Sequence, residues 1–156
     1  KKRNRLNKFL RGCTSCDFKP ITQENIAEAK AFFEVYLSEY SKDDERFMAE
    51  SLLIRRALEL FFDMEQTGGL LYVNGKVVAM TIGEVIGDTL YVHVEKALRQ
   101  YDGAYEAINN AYAREFAVGQ VKYINREEDM GDEGLRQAKM AYNPVMMINK
   151  YEVRFN

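Results

Sequence analysis

The sequence predicts an α/β (α+β) domain: a mixed, mostly antiparallel central sheet flanked by helices, in the order β-α-α-β-β-β-α-β-α-β-β. Three observations predict it. Two stretches of helical hydrophobic period follow a short first strand. The period then falls to two across three consecutive runs, joined at Asn74-Gly75 and Gly87-Asp88. After Gly103 helical and strand periods alternate to the end of the chain.

Taken in order, Cys16 to Pro20 reads as the first strand. Thr22 is placed to cap a helix, because its hydroxyl can accept an orphan amide of the first turn. Ile21 and Ile26 have the spacing of a hydrophobic staple. Ile26, Ala29, Phe33, Leu37 and Tyr40 carry that helix to about Tyr40, and Ser41 to Asp44 breaks it. A longer helix bears Phe47, Ile54, Leu58 and Phe61 on one face and is expected to end near Gly68-Gly69. Leu70 to Val73 is a strand, Asn74-Gly75 a two-residue hairpin turn, and Lys76 to Val85 a return strand apolar on both faces, hence central. Thr89 to Glu95 follows, with Leu90, Val92 and Val94 expected on one face and Tyr91, His93 and Glu95 on the other. Ala104, Ile108, Ala111 and Phe116 mark the next helix, and Val121 to Ile124 a short strand. Asp132 caps a last helix from Glu133 to about Tyr142, which Pro144 stops. Val145 to Phe155 supplies one or two final strands.

The chain has 156 residues, 47% hydrophobic and 29% charged, which suits one domain with a real core. No run approaches the ~20 apolar residues that span a bilayer. Lys1 to Gly12 is basic without an apolar centre, so it is not a secretory signal. A cytoplasmic location is expected. The net charge of −2 excludes wholesale coating of nucleic acid. Lys1, Lys2, Arg3, Arg5, Lys8 and Arg11 stand without an acid among the first eleven residues. Residues 13–156 are expected to form the domain, and the family resemblance given below implies that residues 1–12 are a basic interdomain helix or linker. Contact with RNA or an anionic membrane is the other reading of that basic start. The chain begins without methionine and reads as a piece, or the second half, of a longer protein. Cys13 and Cys16 form a lone C-x-x-C with no second pair, and are expected to be two reduced thiols.

Specific residues add a resemblance. Lys2-Arg3-Asn4-Arg5-Leu6-Asn7-Lys8-Phe9, His93-Val94-Glu95-Lys96, the run Asn125-Arg126-Glu127-Glu128-Asp129-Met130-Gly131-Asp132-Glu133-Gly134-Leu135-Arg136-Gln137-Ala138-Lys139, then Tyr142-Asn143-Pro144 and Lys150-Tyr151 carry it. On these the chain resembles the phosphatidylglycerol lysyltransferase C-terminal family of the GNAT superfamily, and within it the second of two tandem GNAT-like domains. The resemblance covers nearly the whole chain. It implies an N-terminal GNAT-like domain as a partner within the same protein. It also implies transfer of an acyl or aminoacyl group, from a coenzyme A thioester or an aminoacyl-tRNA, to an amine or hydroxyl acceptor. No metal is expected.

The resemblance also suggests roles. In GNAT enzymes the turn after the third meander strand holds a pyrophosphate on free amides at a helix start. Here that turn is Arg99-Gln100-Tyr101-Asp102-Gly103-Ala104. Arg99, Gln100, Gly103 and Ala104 match as cofactor-binding residues, while Asp102 would repel a phosphate. An ordinary glycine turn opening a helix is the plainer reading. Glu95 is the candidate base for an ammonium nucleophile and Tyr142 the candidate acid for the leaving group. A structural ion pair for Glu95 and a core position for Tyr142 are the plainer alternatives. His93, Lys96, Asn125, Arg126, Glu127, Glu128, Asp129, Arg136 and Lys139 are the candidate substrate-binding residues. The acids could hold an ammonium group, the bases a phosphate or carboxylate. His93 also reads as a satisfied core residue, Lys96 points to the opposite face or lies past the strand end, and a solvated charged loop is the usual reading of the 125–139 run. From another class, the chain reads as a non-catalytic ligand-binding or regulatory domain with a degenerate site.

Overall fold

A computed structural model of the chain describes residues 2–39, 45–151 and 153–154. Its elements run α1 (Lys2–Gly12), β1 (Cys16–Pro20), α2 (Ile26–Ser38), α3 (Glu45–Glu59), β2 (Thr67–Val73), β3 (Lys76–Ile86), β4 (Thr89–Ala97), α4 (Ala104–Phe116), β5 (Tyr123–Asn125) and α5 (Glu133–Met140). The five strands form one sheet in the order β1-β2-β3-β4-β5. All neighbours are antiparallel except β4 and β5. This is the mixed sheet with flanking helices that the periodicity predicts.

Helices cover both faces. On one, Phe33 and Tyr36 of α2 and Ile54 and Leu58 of α3 pack on Leu70, Met80 and Ile82. On the other, α4 sets Ala104, Ala107 and Ile108 against Leu71, Val78 and Ala97, and Phe9 of α1 joins them. β3 is central and buried through most of its length, as its apolar run requires. Asn74 and Gly75 both take positive φ, 50° and 76°, so the β2–β3 hairpin closes in the way their side chains favour.

Several boundaries differ from the sequence expectation. Thr22 does not cap α2. Its carbonyl and hydroxyl organise a turn that delays the helix to Ile26, while Asn25 accepts from the Thr22 amide at 2.7 Å. Tyr40 and the expected break at Ser41 to Asp44 lie outside the described residues. α3 ends at Glu59, and Gly68 and Gly69 lie inside β2 instead of terminating a helix. They are glycines because of crowding: a Cβ on Gly69 would fall onto the Phe18 ring, and one on Gly68 would meet the Thr81 carbonyl at 2.7 Å. Cys13 and Cys16 are joined in a disulfide, which corrects the expectation of reduced thiols. The Thr14-Ser15 turn brings their Cα atoms to 5.9 Å, inside the range a disulfide spans. The described residues from Val145 onward form no strand.

The difference with most bearing on function lies in β4. Ile82 pairs with Val94 and Gly83 with Val92, so His93 is an extra residue facing no partner. Side chains beyond this bulge change face. Leu90 and Val92 pack with Tyr112 and Ala117 on the α4 side, but Val94 joins the α2–α3 core. The strict alternation expected from Leu90 to Glu95 is therefore broken. Glu95 turns toward α4 and Lys96 toward α2 and α3.

Candidate functional site

Pairing of β4 with β5 lasts three residues and stops at Tyr91 opposite Asn125. Beyond it the strands diverge, and side chains bridge the gap. The Asn125 side chain accepts from the Glu127 amide at 2.7 Å, and Glu127 takes a left-handed φ of 57°. Neighbouring side chains then part. Arg126 reaches Glu95 and Glu127 reaches His93.

On the α4 side, Arg126 Nη2 donates to Glu95 Oε1 at 2.7 Å, and Asn109 Nδ2 donates to Glu95 Oε2 at 2.9 Å. Glu95 is almost enclosed, with 11% of its side chain exposed. Burial pushes its carboxyl up, against the opposing pull of Arg126 and Asn109. The guanidinium of Arg126 lies 4.4 Å from the centre of the Tyr142 ring, and Lys2 Nζ lies 4.5 Å from the same centre. Arg126 Nε is buried with no hydrogen-bond partner.

On the other side, the His93 ring lies between two carboxylates. Nδ1 is 2.5 Å from Glu127 Oε1 and Nε2 is 2.9 Å from Glu84 Oε1. Only a doubly protonated ring can donate to both. Tyr91 stacks against it.

The loop after β5 is tied down by its own charges. Lys139 donates to the carbonyls of Arg126 and Glu128 at 2.5 and 2.6 Å, and burial followed by the Arg126 charge pulls its ammonium below the usual lysine range. Arg136 grips Asp129, which holds that carboxyl low. Asp132 caps α5 by accepting from the Leu135 amide, as its position in the sequence predicts. Tyr142 follows α5 directly and is half-buried.

The structure thus gathers Glu95, Arg126 and Tyr142 on the α4 side of the gap, with Lys139 on the Arg126 carbonyl, while His93 and Glu127 meet on the opposite face and Asn125 holds the Glu127 amide. Glu128 and Asp129 stand in the same loop, where Lys150 Nζ lies 2.5 Å from Glu128 and Arg136 holds Asp129. Lys96 is not with them: it pairs with Glu50 of α3 at 2.7 Å and sits over Tyr36. Arg99 and Gln100 are exposed in the turn before α4. Gly103 and Ala104 are buried there beneath α1. Lys8 pairs with Asp102 at 2.9 Å, Lys2 and Arg5 reach Glu106, and a Cβ on Gly103 would meet the Arg5 carbonyl at 2.8 Å. The charge that looked hostile to phosphate is a docking point for α1. Gly103→Ala, at a φ of 92°, is expected to cost about 2 kcal/mol and loosen α1. Urea unfolding and amide exchange across 2–12 would measure both.

Two partners in the site were not singled out from the sequence: Glu84, which meets His93, and Asn109, which donates to Glu95. The one available signal was Asn109-Asn110 in the middle of a helix, where asparagine is a poor former and needs a partner. Among the described residues no group of three or more His, Cys, Asp or Glu could hold a metal, and no helix is long and apolar enough to cross a membrane.

Comparison with known proteins agrees with this architecture. The family model for phosphatidylglycerol lysyltransferase, C-terminal, matches residues 1–154. A conserved protein of unknown function from Bacteroides thetaiotaomicron superposes with a TM-score of 0.83 at 40% identity, over 94% of this chain and 50% of that one. The uncharacterized protein MYCGA3080 of Mycoplasmoides gallisepticum is 21% identical over 155 residues, 99% of this chain and 50% of its own length. The chain spans about half the length of both. A ribosomal-protein-alanine N-acetyltransferase from Brucella melitensis biovar Abortus 2308 superposes with a TM-score of 0.60 at 16% identity, over 91% of this chain and all of that one. The shared fold is that of the GNAT acetyltransferases.

Proposed function

Because this chain belongs to the phosphatidylglycerol lysyltransferase C-terminal family and has the GNAT fold, we propose that it supports acyl transfer in the gap between β4 and β5, from an aminoacyl-tRNA or a coenzyme A thioester to an amine or hydroxyl acceptor. The observation that carries this reading is the convergence of Glu95, Arg126 and Tyr142 where the two strands part. In the proposed step the acceptor nitrogen or oxygen attacks the donor carbonyl. Glu95 takes the proton the acceptor loses, and Tyr142 protonates the departing ribose oxygen or thiolate. The β4–β5 ladder ends at Tyr91 opposite Asn125, so the side of β4 that faces the gap beyond that point has no strand partner among the described residues and its main chain would serve the developing oxyanion.

Arg126 acts as the gate. While it holds Glu95 the base is engaged, so an anionic or carbonyl group of the ligand must draw it away. Its buried, unpartnered Nε supports such a role. The covered turn at Gly103 favours the aminoacyl ester over coenzyme A, because α1 lies where a pyrophosphate cradle would be.

The second reading, a non-catalytic binding or regulatory domain, is favoured by the engagement of both Glu95 oxygens. Thermal shift and transfer assays with aminoacyl-tRNA, acetyl-coenzyme A and free amino acids separate the two. Under the catalytic reading, aminoacyl-tRNA at a hundred times its Kd stabilises by about 2.7 kcal/mol. Glu95→Gln and Tyr142→Phe then each slow transfer by about 10²–10⁴-fold. Binding without transfer supports the second reading, and unchanged rates in both variants remove the acid–base roles.

A further inference from the structure

One titratable group beside the gap has no part in the chemistry proposed above. His93 is the only histidine of the chain and the extra residue of the β4 bulge. Its ring is met from two other elements: Glu84 of β3 at Nε2, and Glu127 of the loop after β5 at Nδ1. Tyr91 of its own strand stacks on it. Glu127 also lies within the fields of Lys139 and Lys150.

The two protonation states of the ring do not serve this arrangement equally. A charged ring donates to both carboxylates and offsets part of their mutual repulsion. A neutral ring keeps one donor and turns a lone pair toward the other carboxylate. One side of the clamp must then open. Glu84 is fixed in the β3–β4 ladder opposite Tyr91, so the loop side gives way. Glu127 is poised to move: its φ of 57° is left-handed, and such backbone in a non-glycine residue persists only where its surroundings impose it. Arg126 is its neighbour in the chain. Lys139 ties the carbonyls of Arg126 and Glu128, on either side of Glu127, so the three residues shift together.

We propose that His93 is a positioning residue that makes the hold of Arg126 on Glu95 depend on pH. The charged ring clamps Glu127 to β3 and keeps Arg126 seated on the other face. Imidazole changes its charge between about pH 5 and 8. When the ring gives its proton to solvent, which reaches 31% of its side chain, the clamp opens at Glu127 and Arg126 loses its seat. The bearing on transfer rests on the gating role given to Arg126 above. The clamp itself does not, and it is tested without turnover.

The single imidazole gives an unobscured NMR signal, and the Arg126 Nε proton gives another. Both are followed from about pH 5 to about pH 9, with the amides of Arg126 and Glu127. The expected result is one shared midpoint for these signals, while the Gly131 amide, held by Asp129, stays still. His93→Gln is expected to abolish the response of the loop. Glu127→Gln is expected to leave the ring titrating and Arg126 unmoved. Glu95 faces Arg126 from the other side, and burial raises its carboxyl. A response that keeps its midpoint in His93→Gln therefore belongs to Glu95 and overturns the proposal. So does a ring that titrates in the natural chain while Arg126 stays still, or one that keeps a single protonation state throughout. Coupling that survives Glu127→Gln overturns it as well.

Discussion

Gly83→Ala is expected to lower stability by about 3 kcal/mol, at the upper end of overpacking costs. Gly83 lies opposite the β4 bulge. A Cβ there would fall onto the Tyr91 carbonyl oxygen and meet the Tyr112 hydroxyl at 2.7 Å. The first of these atoms belongs to the paired strand and cannot rotate away. The second is fixed by a 2.6 Å hydrogen bond to Thr67, in a ring that is nearly fully buried. Relief therefore requires β3 and β4 to separate where His93 is presented. Gly75→Ala is the control: it strains a positive φ but meets no atom within 4 Å, so it should cost only about 1 kcal/mol. Urea midpoints for the two variants provide the measurement, and equal losses would refute the crowding argument.

Arg126→Leu is expected to cost about 3–5 kcal/mol near neutral pH, because it strands a buried carboxylate. Its pH dependence identifies that carboxylate. Burial raises Glu95 in the folded chain, so the folded state holds this proton more tightly than the unfolded state does. The stability linked to a group shifted this way is fully present below its unfolded pKa of about 4.3, and is lost as pH climbs through the folded value. Arg126 is one of the influences opposing the rise. Without it the folded value moves higher, and the variant should lose stability more steeply between acid and neutral pH. Urea midpoints of variant and natural chain should therefore approach each other at about pH 4.5 and diverge by about pH 7.5. A gap constant across that range would show that the loss comes from somewhere other than Glu95.

Much of the architecture was legible because it rests on local rules. Asn74-Gly75 sets its turn through the conformations those residues accept, and Asp132 caps α5 through a single side-chain oxygen. The unread features depend on distant partners. Nothing in Leu90-Tyr91-Val92-His93-Val94 announces an extra residue, since valine packs equally well on either face of a sheet. The available hint was Gly83 in the facing strand, because an interior strand glycine marks a bulge or a close approach. Gly68-Gly69 shows the reverse error: a pair that commonly ends helices is explained here by the Phe18 ring, fifty residues earlier in the chain. In the site, Arg126 and Glu95 are 31 residues apart and their meeting follows from the topology the periodicity implies. The parting of His93 and Glu95 onto two faces does not, because it depends on the bulge. The seating of α1 on Gly103 is set by Lys8–Asp102 and by two bases on Glu106, pairs that no local pattern reveals.

That seating has a consequence for how this domain can recognise an anion. A helix start with open amides grips a phosphate through short, directional hydrogen bonds. With Gly103 roofed by α1, the cations beside the gap are long side chains: Lys2, Arg126 and Lys139. Charge carried on such side chains acts through space and fades over the ~8 Å screening length of physiological salt. Affinity for a polyanionic donor would then be governed by the ionic strength of its surroundings, and the domain would release such a donor in brine while remaining folded.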